Sequence, residues 1–493
     1  MADVLLLILC MAVSGIIAVA AQRFAILAGQ CAPSLAGDCM ALLAGIQTSS
    51  LFLLLTGRIL LSLLLVAALL CLLVVFNRAK EEVLREPLVL ADAWLLPQVF
   101  LYPEMYFPFL PMRGITAGLA LLVLILAGLV FLEKPLPLLR SFPGIASCAA
   151  VTLLPVAALW RLRQGFFQTA ARFLLRLLPV SHDAVKDAAR NGALASALTH
   201  PVLAGHMKRE KPEWMREERT RPKASHLPEA LENLLRETAA MPMEKRPHIA
   251  LIQAESFCDF RERMQGPQKE SLKDFLPNWD KLKAAGRSLP TPENAYGAYT
   301  MRTEFAMLTG LRQEDLGPWA FNPYLLAARQ PLWSVARYFA EKGYATVCIH
   351  PYYKKFFQRD KVMSNLSFEK FLGIEELADL EHFGPYVSDA ALGKRMVREM
   401  ETSSRPVFCF AITMEAHGPW RTGRLTADEL AAELPDINLG LFTQEEQYYL
   451  CHLRHMDRLF GMLAAPDAAL QRGYKLLAYG DHAPGLGRTS ACG

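Results

Sequence analysis

No two cysteines in the chain have the spacing of a metal site. The ten stand singly at Cys10, Cys31, Cys39, Cys71, Cys148, Cys258, Cys348, Cys409, Cys451 and Cys492. Cys31 and Cys39 are either a bridge of an oxidising compartment or, like the rest, free thiols. A net basic surface is also lacking. Residues 1–180 hold 12 Lys+Arg against 8 Asp+Glu, which leaves 40 of each for the remainder. Without a basic face or stripe there is no electrostatic footprint for nucleic acid. There is no internal repeat and no low-complexity tract. Nor does a positive segment precede the first apolar run, which follows Met1-Ala2-Asp3. That favours a retained membrane span over a cleaved signal peptide.

Long apolar runs, by contrast, fill the first third of the 493 residues. Residues 4–20 (VLLLILCMAVSGIIAVA) form one, 40–76 a second, 114–132 and 143–160 two more. Each approaches the roughly 20 residues needed to cross a hydrocarbon core of about 30 Å. The 40–76 run is too long for one crossing, and we split it at Gly57-Arg58. The expectation is therefore about five spans in a membrane domain over residues 1–162. With the N-terminus inside, cytoplasmic loops carry only Arg58, Lys134 and Arg140. The outer side carries Arg23, Arg78, Lys80, Arg85, Arg113, Arg161 and Arg163. The Lys/Arg rule alone thus places the C-terminal part in the cytoplasm.

Residues 77–100 mix charged and apolar residues in a way that suits an interfacial helix and loop. Residues 163–179 set Phe166, Phe167, Phe173, Leu174 and Leu177 against Arg172 and Arg176. This reads either as a helix lying in the membrane surface or as a packed helix of a soluble domain. The charge-rich 205–247 stretch, from Lys208 to Glu218 and beyond, completes a join over 163–247.

From 248 onward short apolar strands alternate with amphipathic helices. The strands fall at 248–254, 344–349, 406–412 and 474–479, and the helices at 277–286, 302–310, 331–342, 387–401 and 444–464. Such alternation implies an α/β domain over 248–493 with a largely parallel sheet, whose ligands gather at the carboxyl ends of the strands. Four polar groups fall there: Glu255, Thr300, His417 and the Asp481-His482 pair. Each alone has a structural reading, as a helix cap or a chance pair. Together they are a hard-to-borderline ligand set for Mn²⁺, Mg²⁺ or Zn²⁺. Thr300 at a helix start lies where free N–H groups also receive phosphate, and a metal beside it would make its hydroxyl a nucleophile. Arg302 reads equally as a phosphate clamp or a structural arginine. Thr303 reads as a competing cap, and Glu304 as a stabiliser of the first helical turn.

The blocks "IQAESF" with Glu255, "TMRTEFAMLTGL" with Thr300, "FFQRD" with Arg359, "TMEAHGPW" with His417 and "YGDH" with Asp481 and His482 occur in this order. In that order and spacing the chain resembles the lipoteichoic acid synthase and phosphoglycerol transferase group of the alkaline phosphatase and sulfatase superfamily. The resemblance implies an alkaline-phosphatase-like domain placed outside the cytoplasmic membrane behind a multi-pass anchor. Its activity would move phosphoglycerol from phosphatidylglycerol, or a related phospholipid, through the threonine to a glycan or polymer acceptor. Glu255, Thr300, Asp481 and His482 would bind one metal ion, manganese in most of the group. His417 and Arg359 would contact the phosphoglycerol, with His417 as acid for the leaving lipid oxygen. His350 and Trp420 lie near the matching blocks as further substrate contacts. A periplasmic glucan or capsule is as reasonable an acceptor as teichoic acid.

The sulfatase branch needs a C/S-x-P-x-R block. The nearest string, "FCDFRER" around Cys258, lacks the proline, which argues against sulfate ester hydrolysis. The chain ends at Gly493, eleven residues after His482, where the resemblance implies further strands and helices. The alternatives are therefore a phosphoethanolamine transferase or phosphodiesterase with the same site, or an inactive, truncated relative.

Overall fold

The computed structural model describes the chain apart from residues 26–32, 110–111, 182, 208–219, 292–298, 421–423, 465–469, 471 and 487–493. Cys31, Cys492 and the charged 208–218 stretch lie outside the described residues, so the pairing of Cys39 is not addressed. The chain divides into two compact units, Met1–Lys211 and Pro212–Gly493. The division falls inside the 163–247 join.

The first unit holds five helices long and apolar enough to cross a membrane: Ala2–Phe24, Leu35–Thr56, Ile59–Glu82, Met112–Leu132 and Phe142–Arg163. The break at Gly57-Arg58 has a local cause. Gly57 closes the second helix at φ 66°, a left-handed conformation that costs glycine little. The helix begun after Arg58 is capped from a distance, because both Glu133 carboxylate oxygens accept from its first N–H groups, Leu60 at 2.7 Å and Leu61 at 2.9 Å. The first two helices approach closely through small residues. A Cβ added to Gly45 would stand 2.5 Å from the Ser14 carbonyl oxygen and 2.7 Å from the Ala18 Cβ. After the fifth span, the helix Gln168–Leu177 leaves Phe173 and Leu177 exposed, together with Phe166 and Phe167 just before it.

The second unit is built on a five-stranded sheet in the order β3-β2-β6-β1-β7, with every pair parallel. The strands are β1 His248–Ala254, β2 Ala345–Ile349, β3 Lys370–Leu372, β6 Val407–Ile412 and β7 Tyr474–Gly480; β4 His382–Phe383 and β5 Tyr386–Val387 make a separate hairpin. Every residue of β1 and β6 is buried. That is why both read as unbroken apolar runs rather than alternating ones. One face of β6, with Val407, Cys409 and Ala411, joins the core formed with Leu392 and Met396 of the helix Asp389–Glu401 and Tyr449, Leu453 and Phe460 of the helix Gln444–Ala464. On the other face Phe408 stacks on Phe339 at 4.7 Å.

β7 ends against the chain leaving β1. A Cβ on Gly480 would fall 1.8 Å from the Phe257 carbonyl oxygen, so this position admits no side chain without displacing backbone. Gly480→Ala is expected to destabilise this unit by about 1–3 kcal/mol. Thermal unfolding of the purified protein checks it, and an unchanged midpoint would show that the turn yields freely.

Candidate active site

The carboxyl ends of β1 and β7 bring three ligand-type side chains together. Glu255 follows β1, and its N–H donates to the Thr413 hydroxyl at the end of neighbouring β6, at 2.9 Å. Ser256 then turns the chain at φ 53°, a conformation that non-glycine residues hold only under constraint. Its N–H donates to Asp481 Oδ1 at 2.7 Å, and its hydroxyl to Glu255 Oε1 at 2.9 Å. Asp481 Oδ1 accepts a second N–H, from His482, at 2.8 Å. Asp481 Oδ2 is buried without a complete hydrogen bond. His482 donates Nδ1–H to the Ala483 carbonyl at 3.1 Å. Its Nε2 stands 3.4 Å from both Glu255 Oε1 and Asp481 Oδ2. A carbonyl that fixes one ring nitrogen leaves the other aimed at a cation.

One ligand atom each from Glu255, Asp481 and His482 lie within 4.8 Å of one another, and all three residues are buried. The electrostatics reflect that crowding. Burial, then the Glu255 charge, push the Asp481 carboxyl up to about 8. Burial opposes ionisation of Glu255 as well, but His482 and His417 outweigh it and hold its carboxyl down at about 2. Burial disfavours the charged His482 ring, yet Asp481 and Glu255 raise it to about 9. Two carboxylates and an imidazole with an unsatisfied oxygen between them fit a divalent cation of the Mn²⁺, Mg²⁺ or Zn²⁺ kind.

Thr300 opens the helix Thr300–Thr309, entered through Tyr299 at φ 71°. Its half-buried side chain faces Asp481 and contributes to keeping that carboxyl ionised. The rest of the polar cluster serves the helix's placement, which corrects two expectations. Thr303 is not a cap; its hydroxyl donates to the Asp481 carbonyl at 2.8 Å and so registers the helix against β7. Glu304 does not stabilise an exposed first turn. It is fully buried, accepting from Arg359 Nε at 3.2 Å, from Arg359 Nη2 and from the Tyr324 hydroxyl, with Gln253 Nε2 at 3.4 Å. The physical reason is that Glu304 is the fifth residue of this helix, past its first turn, on a side that meets Gln253 and Arg359 instead of solvent. Of the two readings of Arg302, the structure carries the structural one. The guanidinium lies 3.6 Å over the Tyr299 ring, and Nε donates to the Phe321 carbonyl at 3.2 Å.

Arg359 is 2% exposed, and its Nη1 has no hydrogen-bond partner among the described residues, so one donor of a buried guanidinium is left over there. His350, at the end of β2, is buried and donates weakly to the Ile412 carbonyl at 3.4 Å. Burial and then Arg359 hold it neutral, well below the usual imidazole range. His417 is half-buried, with Nδ1–H on the Gly418 carbonyl at 2.7 Å. Burial lowers its pKa, against the pull of Glu255. These mutual influences join Glu255, Asp481, His482, Thr300, His417, His350 and Arg359 into one cluster. Trp420 stands apart from it, packed in the hydrophobic core with its ring 5.1 Å from Tyr449. Sequence reasoning missed Ser256, Thr413, Tyr324 and Glu415. Three of them lie inside the quoted blocks, Ser256 in IQAESF and Thr413 and Glu415 in TMEAHGPW, and nothing signalled Tyr324.

The description "Sulfatase" belongs to the family model that matches residues 247–491. The capsular polysaccharide biosynthesis protein RkpI of Rhizobium meliloti (strain 1021) is 28% identical over 423 residues, 83% of this chain and 70% of that protein. Lipoteichoic acid synthase 1 of Bacillus subtilis (strain 168) is 22% identical over 144 residues, 29% of this chain and 22% of that protein. Among solved structures, the lipoteichoic acid synthase LtaP from Listeria monocytogenes aligns at a TM-score of 0.41 and 17% identity, over 53% of this chain and 64% of that one. Residues 247–491, which contain every group of the cluster above, are thus the part of the chain that is similar to the sulfatase family.

Proposed function

We propose that the protein is a membrane-anchored, divalent-metal-dependent phosphoglycerol transferase. It takes the group from phosphatidylglycerol onto Thr300 and delivers it to a glycan hydroxyl outside the cytoplasmic membrane. The observation that carries this is the convergence of Glu255, Asp481 and His482 beside a threonine that opens a helix. The order of the five sequence blocks favours a phosphoglycerol donor. The likeness to a capsular polysaccharide biosynthesis protein supports a glycan acceptor. The exposed Phe166, Phe167, Phe173 and Leu177 near Arg172 and Arg176 suit a helix lying in the membrane surface.

Glu255, Asp481, His482 and Thr300 would hold the cation, manganese by family resemblance. The chemistry a cation supplies there is a lowered pKa at the Thr300 hydroxyl and compensation of phosphate charge. Thr300 Oγ attacks the donor phosphorus, and the bond from phosphorus to the diacylglycerol oxygen breaks. His417, in the protonated form that Glu255 favours against burial, gives its proton to that leaving oxygen. In the second step the neutral ring takes the proton of the acceptor hydroxyl, whose oxygen bonds to phosphorus as the bond from phosphorus to Thr300 Oγ breaks. Arg359 Nη1, unpartnered among the described residues, and the positive end of the helix that Thr300 opens receive the phosphate oxygens. His350, held neutral, would serve as a further hydrogen-bonding contact to the glycerol. Trp420 would contribute through the packing of the loop that carries His417.

Thr300→Ala is expected to abolish turnover while changing stability by only about 1 kcal/mol, since the side chain is half-buried. Intact-mass analysis of the full-length protein in phosphatidylglycerol vesicles with Mn²⁺ should show a glycerol-phosphate adduct that this variant lacks. An adduct persisting in the variant would remove Thr300 as nucleophile. An adduct formed only from phosphatidylethanolamine vesicles would replace the donor.

Metal binding carries a pH signature. Asp481 and His482 hold protons up to about 8 and about 9, and a cation must displace them. Mn²⁺ affinity should therefore rise between pH 6 and 8, by about tenfold per pH unit for each proton released. Calorimetry in buffers of different ionisation enthalpy counts those protons. Asp481→Asn should lower both affinity and count, and a pH-independent affinity would contradict this ligand set.

A further inference from the structure

His417 has a role in the proposed chemistry, yet Glu415, two residues before it, is the better-anchored residue of the same loop. Glu415 is fully buried. Its Oε1 accepts from His452 Nδ1 at 3.0 Å and from His455 Nδ1 at 2.8 Å. The two imidazoles stand one turn apart on the helix Gln444–Ala464. Its Oε2 accepts the N–H of Asp389, the first residue of the helix Asp389–Glu401, at 2.8 Å. One carboxylate thus joins the loop after β6 to two helices of the core.

The same loop is gathered from its other side by Arg424. Nη2 donates to the Glu415 carbonyl at 2.8 Å, and Nη1 to the Pro419 carbonyl at 3.2 Å and to the His417 carbonyl. A planar guanidinium with fixed donors is suited to hold three alternate carbonyls at once, where a lysine is a point charge on a flexible stem. Its Cζ lies 5.6 Å over the Tyr386 ring, and that ring meets the His417 ring edge-on at 5.8 Å. With Nδ1–H committed to the Gly418 carbonyl, the orientation of Nε2 follows from the placement of this backbone.

We propose that Glu415 and Arg424 are positioning residues for His417. The carboxylate fixes the loop to the helices at one end, and the guanidinium fixes the carbonyls of residues 415, 417 and 419, so that the imidazole meets the leaving oxygen of the donor. This rests on His417 acting as the acid toward the lipid leaving group. Neither residue touches the substrate. Both act by removing freedom from the residue that does, and a general acid displaced by about 1 Å loses on the order of 100-fold in rate.

The test uses the full-length protein with two donors: phosphatidylglycerol, whose alkoxide leaving group needs a proton, and glycerol 4-nitrophenyl phosphate, whose phenolate leaves without one. Arg424→Met and Glu415→Gln should lower kcat for phosphatidylglycerol by about 10- to 100-fold while leaving its KM and the nitrophenyl rate within about threefold. Arg424→Lys should fall between wild type and Arg424→Met. If Arg424→Met fails to fold, Arg424→Lys and Glu415→Gln carry the comparison. Equal losses on both donors would overturn the proposal, since they would mean a general structural role. His417→Ala separates the two levels. If it also affects both donors equally, the acid assignment of His417 has failed. If it is selective and the Arg424 and Glu415 variants are not, the positioning proposal alone has failed.

Discussion

Two carboxylates that share a dry site cannot both stay ionised unless positive charge stands between them, and the second unit is arranged around that constraint. Glu255 and Asp481 are 2% and 0% exposed. They follow adjacent parallel strands that end at the same level. Without a cation, protonated His482 supplies the compensating charge; a divalent cation that displaces its proton would supply it instead. Around them Ser256 holds a left-handed conformation, Gly480 lacks a side chain so that Phe257 can pass, and Thr413 and Thr303 tie β6 and the helix Thr300–Thr309 to the same point. Each is a local cost or constraint that has no purpose apart from the cluster.

Beside the helix Thr300–Thr309 lies a second buried charge system, in which the Tyr479 hydroxyl meets Gln253, Gln253 meets Glu304, and Glu304 takes Arg359 and Tyr324. A buried ion pair contributes little net stability against well-packed apolar residues, but breaking one partner leaves a costly isolated charge. Its contribution here is geometric. It fixes Arg359 at the base of the site with one donor left over, and links the helix carrying Thr300 to the loop after β2. Glu415 and Arg424 do for the loop after β6 what Glu304 does for Arg359.

Much of this was legible in the sequence, for identifiable reasons. β1 and β6 read correctly because strands buried on both faces show as continuous apolar runs, and the five spans because a bilayer demands length. β3 was not read, since Lys370–Leu372 is three residues at the sheet edge with Lys370 exposed. The two-residue strands of the hairpin carry too few positions for any period to show. Thr300, Glu255, Asp481 and His482 stood out because strand ends are where ligands gather. Glu304 did not, because a carboxylate near the start of a helix looks the same whether it faces water or an arginine 55 positions away. His452 and His455 were hidden likewise: two polar residues one turn apart on an amphipathic helix read as a solvated face until the sheet brings Glu415 between them.

The central claim is that Glu255, Asp481, His482 and Thr300 surround one cation. Anomalous diffraction at the manganese edge from crystals of the protein grown with Mn²⁺ tests it most directly. The account predicts a single strong peak about 2.0–2.4 Å from one oxygen of each carboxylate, from His482 Nε2 and from Thr300 Oγ. A peak at another cluster, or a saturated crystal with none between β1 and β7, would contradict it.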